Sequence, residues 1–171
     1  MPTSQEFHQQ LNDFSSAFDY DVTYLRELLD SSQPAYEAFA PVQGMSRHRA
    51  ALPIDAHAVA CVTAMLSEDC GPCTQLQLQM SVQAGVDRSV LKTLIESPEA
   101  LSPLLGDVYE HARAVAGDTA TDDARLERLR AACGTAGLAE LGLAVAGSRV
   151  YPTLKRALGH AKACHRPSLE F

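Results

Sequence analysis

Apolar positions recur along this chain at helical spacing, and nowhere do they alternate as in a half-buried strand. Phe7, Leu11, Phe14 and Phe18 fall three and four apart in an otherwise polar opening. That spacing predicts a short amphipathic helix, or an arm that packs on a partner, over residues 1–19. Asp21 then precedes Val22, Leu25, Leu28 and Leu29, a second helix closing near Asp30. Pro34 suits the first turn of a short helix that Pro41 stops. Residues 44–51 hold Arg47, His48 and Arg49 and read as a solvated connection. Pro53 opens a helix over residues 54–66, built of Ala, Val, Met and Leu and therefore buried on most faces.

A run from Thr74 to Ala84 has no breaker before Gly85, which suits a left-handed stop. With only a short connection before it, this helix and the preceding one form an antiparallel pair. Asp87 caps the next helix, through Val90, Leu91, Leu94 and Ile95. Ser97-Pro98 and Ser102-Pro103 are successive cap-plus-proline signals, and the second starts a helix that Gly117 stops. Thr121 caps another, ending near Gly134 or Gly137. The apolar segment 138–164 reads as two helices broken near Val150 to Pro152, or as one kinked helix. The fold predicted is all-α, one domain of about seven or eight helices.

Composition agrees with one soluble domain: 171 residues, 46% hydrophobic and 20% charged. A net charge of −7 argues against nucleic acid or an anionic membrane as partner, since both select a basic face. The opening, MPTSQEFHQQLNDF, lacks the basic start and apolar core of a signal peptide. No apolar run approaches the ~20 residues of a membrane span, so the expected location is the cytoplasm. Of five cysteines only Cys70 and Cys73 are close in sequence. In a reducing compartment that is a reactive pair plus the isolated Cys61, Cys133 and Cys164, which are expected to be buried bystanders.

The pair carries the chemistry. In Cys70-Gly71-Pro72-Cys73 the proline is tolerated in a helix's first turn, so both thiols fall where a helix begins. Free N–H groups and a partial positive charge there favour a thiolate. An ordinary thiol of pKa ~8.5 is only about 3% ionised at neutral pH. Spacing i, i+3 also allows a disulfide without refolding. Gln77 shares the face of Cys73 at i+4, and Asp55 and His57 lie in the first turns of the preceding helix as candidate proton carriers. Glu68 and Asp69 read as capping residues, and Tyr109 and His111 as packing or surface positions. A metal site would need Cys70 and Cys73 with His57 and Cys61. Such sites are usually loop-borne, so neither metal nor cofactor is expected.

These residues resemble the carboxymuconolactone decarboxylase superfamily, and within it the alkyl hydroperoxidase D-like proteins. The hallmark is a helix beginning Cys-x-x-Cys-x-x-x-His, followed by Ala-x-x-x-Gly or a close variant. Here the positions are Cys70, Cys73 and Gln77, then Ala84-Gly85-Val86. Further likeness to the peroxidase-related branch lies in Tyr109 to Ala114, Arg128 to Ala132, Gly137 to Glu140 and Arg156 to Gly159, so a family-like core covers residues 50–160. Residues 1–45 then stand outside it as N-terminal helices or an arm. Gln77 stands where relatives carry a proton-accepting histidine, and Ala58 where they carry the glutamate that orients it. A glutamine can hydrogen-bond a sulfur but cannot take its proton at neutral pH. The resemblance implies an alkyl hydroperoxidase D-like bundle, a thiol-disulfide peroxidase acting on a peroxide or a protein disulfide, a thiol reductant, and a homo-oligomer, trimer or hexamer. It favours Cys73 as the activated thiol, whereas exposure at the helix end favours Cys70. The alternatives are a lactone decarboxylase or lyase, and a non-catalytic redox-sensing oligomer.

Overall fold

Two apolar clusters divide the molecule, one for each half of the sequence pattern. The computed structural model describes residues 2–160, and among them there are helices and no strands. The N-terminal layer comprises α1 (Ser4–Phe18), α2 (Thr23–Ser31), α3 (Gln33–Phe39) and α4 (Val42–Arg47). The bundle comprises α5 (Ile54–Ser67), α6 (Gly71–Gln83), α7 (Arg88–Glu96), α8 (Pro103–Ala116) and α9 (Asp123–Ala157), with a 3-10 turn at Pro98–Ala100. The all-α expectation holds. Eight helices have seven residues or more, and α4 is a six-residue turn of helix.

Local signals account for most helix starts. Thr3 and Glu6 form a reciprocal capping box on α1. Ser32 caps α3 with Pro34 in its first turn, and Asp87 caps α7 through the Ser89 N–H. Asp122, one residue beyond the expected Thr121, accepts from the N–H groups of Ala124 and Arg125 to cap α9.

Burial follows the pattern too. From Ala58 to Met65 every residue of α5 is buried, because this helix is surrounded by α6, α8 and α9. The aromatic cluster of Phe7, Tyr20, Tyr24 and Tyr36, with Leu11 and Leu29, holds α1, α2 and α3 together. Phe7 and Tyr36 meet edge-on at 5.0 Å.

Three departures have physical causes. Residues 44–51 are not all connection, because α4 lies against α9. Gly147 permits this: a Cβ there would fall 2.8 Å from the Cα of Ser46. The helix expected to end near Gly134 or Gly137 does break at Gly134, whose φ of 72° and ψ of 172° leave the helix, but the segment after it is one helix through Pro152 and not two. A proline removes one backbone bond, whereas a left-handed φ turns the chain, and only glycine does that without steric cost. Finally, α9 is long and apolar enough by length and composition to cross a membrane, although no such run is evident from sequence. In the structure it packs on α4, α5 and α8.

A buried acid ties α9 to the start of α5. Glu140 is 6% exposed. It accepts from the backbone N–H groups of Ala50, Ala51 and Leu52 at 3.0, 2.9 and 2.8 Å. Those bonds, led by that from Leu52, hold its carboxyl below the usual range.

Candidate functional site

The turn between α5 and α6 is made by Asp69, a left-handed residue with φ 53°, and by Cys70, which stands at the N-cap of α6. Gly71 and Pro72 fill the first helical positions and Cys73 follows in the same turn. The N-cap is Cys70, which makes no side-chain capping bond. Cys70 and Cys73 are joined as a disulfide with Cα atoms 5.3 Å apart. The carbonyl of Cys70 accepts from the N–H and hydroxyl of Thr74 at 2.9 and 3.0 Å, which fixes the turn. Cys70 is half-buried, whereas Cys73 is 1% exposed. Cys70 is thus the more accessible residue of the pair, and Cys73 belongs to the interior.

The inward sulfur meets a residue from the other half of the chain. The Tyr20 hydroxyl lies 3.5 Å from Cys73 Sγ. A disulfide sulfur has no proton, so the phenol donates. Tyr20 sits between α1 and α2, with its N–H on the Ser15 carbonyl at 3.1 Å and its own carbonyl accepting from Ser15 Oγ at 2.8 Å. Burial pushes its pKa up, Tyr24's hydrogen bond opposes that, and Asp21 adds to it, so the net direction is upward. Tyr20 therefore stays a protonated donor at neutral pH. The Lys155 ammonium stands 4.9 Å from the Tyr20 ring centre and 5.3 Å from that of Tyr24, within cation–π range. Sequence reasoning missed Tyr20, since no local pattern links positions 53 residues apart.

Glu68, two residues before Cys70, is anchored and does not act as a helix cap. Its carboxylate, 6% exposed, accepts from Arg149 Nε at 2.6 Å and pairs with Arg156. Arg156 also donates to the Glu68 carbonyl at 2.9 Å. Burial raises the acid, but hydrogen bonds from Arg149 and Arg156 outweigh it and hold it below the ordinary carboxylate range. The far end of α9 is thereby pinned to the cysteine turn.

The other residues expected from sequence lie elsewhere. Gln77 donates to Ser81 Oγ at 3.4 Å and makes no hydrogen bond to either sulfur. His57 places Nε2 2.9 Å from the Ser46 carbonyl, and both ring nitrogens lie 3.8 Å from Cys61 Sγ. Burial lowers the His57 pKa, against a smaller opposing effect of the Ser46 carbonyl. Asp55 is half-buried at the opposite end of α5 from the disulfide, with about 18 Å of helix between it and Ser67. Cys61 is sealed in the core, where burial pushes its thiol up to about 11. Cys133 is half-buried and its thiol is also raised by burial. Cys164 lies outside the described residues. Tyr109 packs partly buried against the core and His111 is buried. Among the described residues no three His, Cys, Asp or Glu side chains gather as metal ligands.

A cavity of about 800 Å³ opens between the N-terminal layer and the bundle. Tyr20, Ala58, His57 and Gln77 all line it, so the two positions that depart from the resembled pattern, Ala58 and Gln77, both border the cavity. Neither cysteine lines it; Tyr20 is the residue that touches both cavity and sulfur. Compared with models of known protein families, with curated proteins and with solved structures, the chain matches none.

Proposed function

We propose that this protein is a thiol-disulfide oxidoreductase with alkyl hydroperoxidase-type peroxidase activity, run by Cys70 and Cys73. One observation carries the reading: two joined cysteines at the start of a helix, one half-buried and one sealed beside a phenol. In the reduced protein Cys70 is the thiol a substrate reaches, and the positive helix end favours its thiolate. That thiolate attacks the terminal oxygen of a hydroperoxide. The O–O bond breaks, Cys70 becomes a sulfenic acid, and the alkoxide takes the Cys73 proton and leaves as an alcohol. The Cys73 thiolate attacks the Cys70 sulfur and expels hydroxide, which the proton lost from Cys70 converts to water. One dithiol and one hydroperoxide thus give one disulfide, one alcohol and one water. A protein disulfide would accept the same two electrons by exchange.

An external thiol reductant closes the cycle by attacking Cys70 and releasing Cys73. Tyr20 supports that step, because a donor on the departing thiolate makes it a better leaving group. His57, Asp55 and Gln77 need not act at sulfur in this scheme. No cofactor or metal is invoked. The resemblance supports a trimer or hexamer, which sedimentation would check.

The test is consumption of cumene hydroperoxide with dithiothreitol as reductant. Turnover is expected in the wild type and lost in a Cys70→Ser, Cys73→Ser double variant, and unchanged turnover there removes the proposal. If the wild type consumes peroxide no faster than the double variant while its disulfide titrates readily, the redox-sensing reading replaces the enzyme. The specific observation on that side is that Gln77 and Ala58 supply no proton acceptor on the cavity wall.

A further inference from the structure

The cavity behind Tyr20 has features that a small hydroperoxide does not require. At about 800 Å³ it falls in the upper part of the ~300–1,000 Å³ typical of ligand pockets. Its walls are mostly hydrocarbon and aromatic, with Phe7, Leu11, Phe14, Phe39, Met65 and Leu76 among them, interspersed with neutral glutamine, serine and histidine side chains. Among the described residues no Asp or Glu lines it. Its mouth is cationic: Arg47 at the end of α4 and Arg49 just beyond both line the cavity and both reach solvent.

These two arginines differ from most of the others in the chain. Arg113, Arg125, Arg128, Arg130, Arg149 and Arg156 each lie against a carboxylate. Among the described residues neither Arg47 nor Arg49 pairs with a carboxylate, and Arg47 reaches Met80 Sδ at 4.0 Å. The chain has 21 acidic against 14 basic side chains, so carboxylates to pair with are in surplus. Two unpaired guanidiniums at the mouth of an apolar cavity match a molecule with a long apolar body and one anionic end.

We propose that this cavity binds a long-chain carboxylate, its unbranched chain among the aromatic walls and its head on Arg47 and Arg49. The site needs only its walls and its mouth, so it stands apart from the redox reading. Calorimetric titration of the full chain with octanoate, decanoate and laurate, each below its micelle concentration, tests it. Affinity is expected to rise about three- to fourfold per added methylene, as burial of that group dictates. An Arg47→Gln, Arg49→Gln double variant, whose exposed positions leave thermal unfolding unchanged, is expected to bind laurate about tenfold or more weakly. Decanol binding should be the same in both proteins. Absence of saturable binding overturns the proposal. So does laurate affinity unmoved by the double variant, or dodecyltrimethylammonium binding as tightly as laurate. The result stands whether or not the cysteine double variant has lost peroxide turnover, so the two proposals fail separately.

Discussion

Cys61 and Cys73 are equally buried, at 1% exposure each, yet their surroundings set opposite chemistries. Cys61 lies in mid-helix, where burial outweighs the Ser148 hydrogen bond and pushes its thiol up, with the His57 ring 3.8 Å away. Cys73 lies in the first turn of α6 beside a phenol donor and three residues from a partner sulfur. Burial alone therefore does not decide whether a thiol reacts. A helix start, a hydrogen-bond donor and a neighbouring sulfur do.

The sharpest way to break that contrast is alkylation of the reduced protein at neutral pH. Iodoacetamide should modify Cys73 at least about tenfold faster than the equally buried Cys61, whose thiol burial pushes up to about 11, because the helix start and the Tyr20 hydroxyl favour the Cys73 thiolate. Mass spectrometry of the labelled peptides reads this directly, and comparable rates at the two sites would erase the distinction.

A second change acts on the scaffold of the cysteine turn. Glu68→Gln should cost about 1–2 kcal/mol in denaturant unfolding, a buried-pair value discounted because Arg149 and Arg156 are partly exposed. The folded-state pKa of Glu68 is below its unfolded value. Its stabilisation is thus full above the ordinary carboxylate range and fades as pH falls through that range and below it. The gap between wild type and variant should close on acidification. A gap of constant size would place the effect in packing.

The smallest expected effect isolates the phenol. Tyr20→Phe removes the hydrogen bond to Cys73, worth ~1 kcal/mol, together with that to Tyr24, so release of Cys73 by dithiothreitol should slow about fivefold. The pH profile of Cys73 alkylation should move upward as well. A purely structural role for Tyr20 would lower stability and leave that profile in place.

Much of the fold was legible because its signals are local. Serine, aspartate and proline mark helix starts, and the unbroken apolar run of α5 marks a core helix. The placement of Cys70 and Cys73 at a helix start was legible for the same reason. What sequence left dark is what depends on distant contact. Tyr20 reaches Cys73 across 53 residues, and Glu68 finds Arg149 and Arg156 at the far end of α9. Glu140 satisfies three amides some ninety residues upstream. Pro152 advertised a break that the helix runs through, whereas the break at Gly134 was legible from the glycine itself.

Gly147 has no side chain to offer any reaction, yet it sets where the positive charges at the pocket mouth stand. Its missing methyl lets the Ser46 backbone rest directly on α9, and Arg47 follows in the next position. A single methyl at 147 would lift that strand of basic residues outward like a wedge under a hinge. Selectivity for anions would then be governed by a position that touches no ligand, and drift at this one codon could retune what the protein accepts while every wall of the pocket stayed the same.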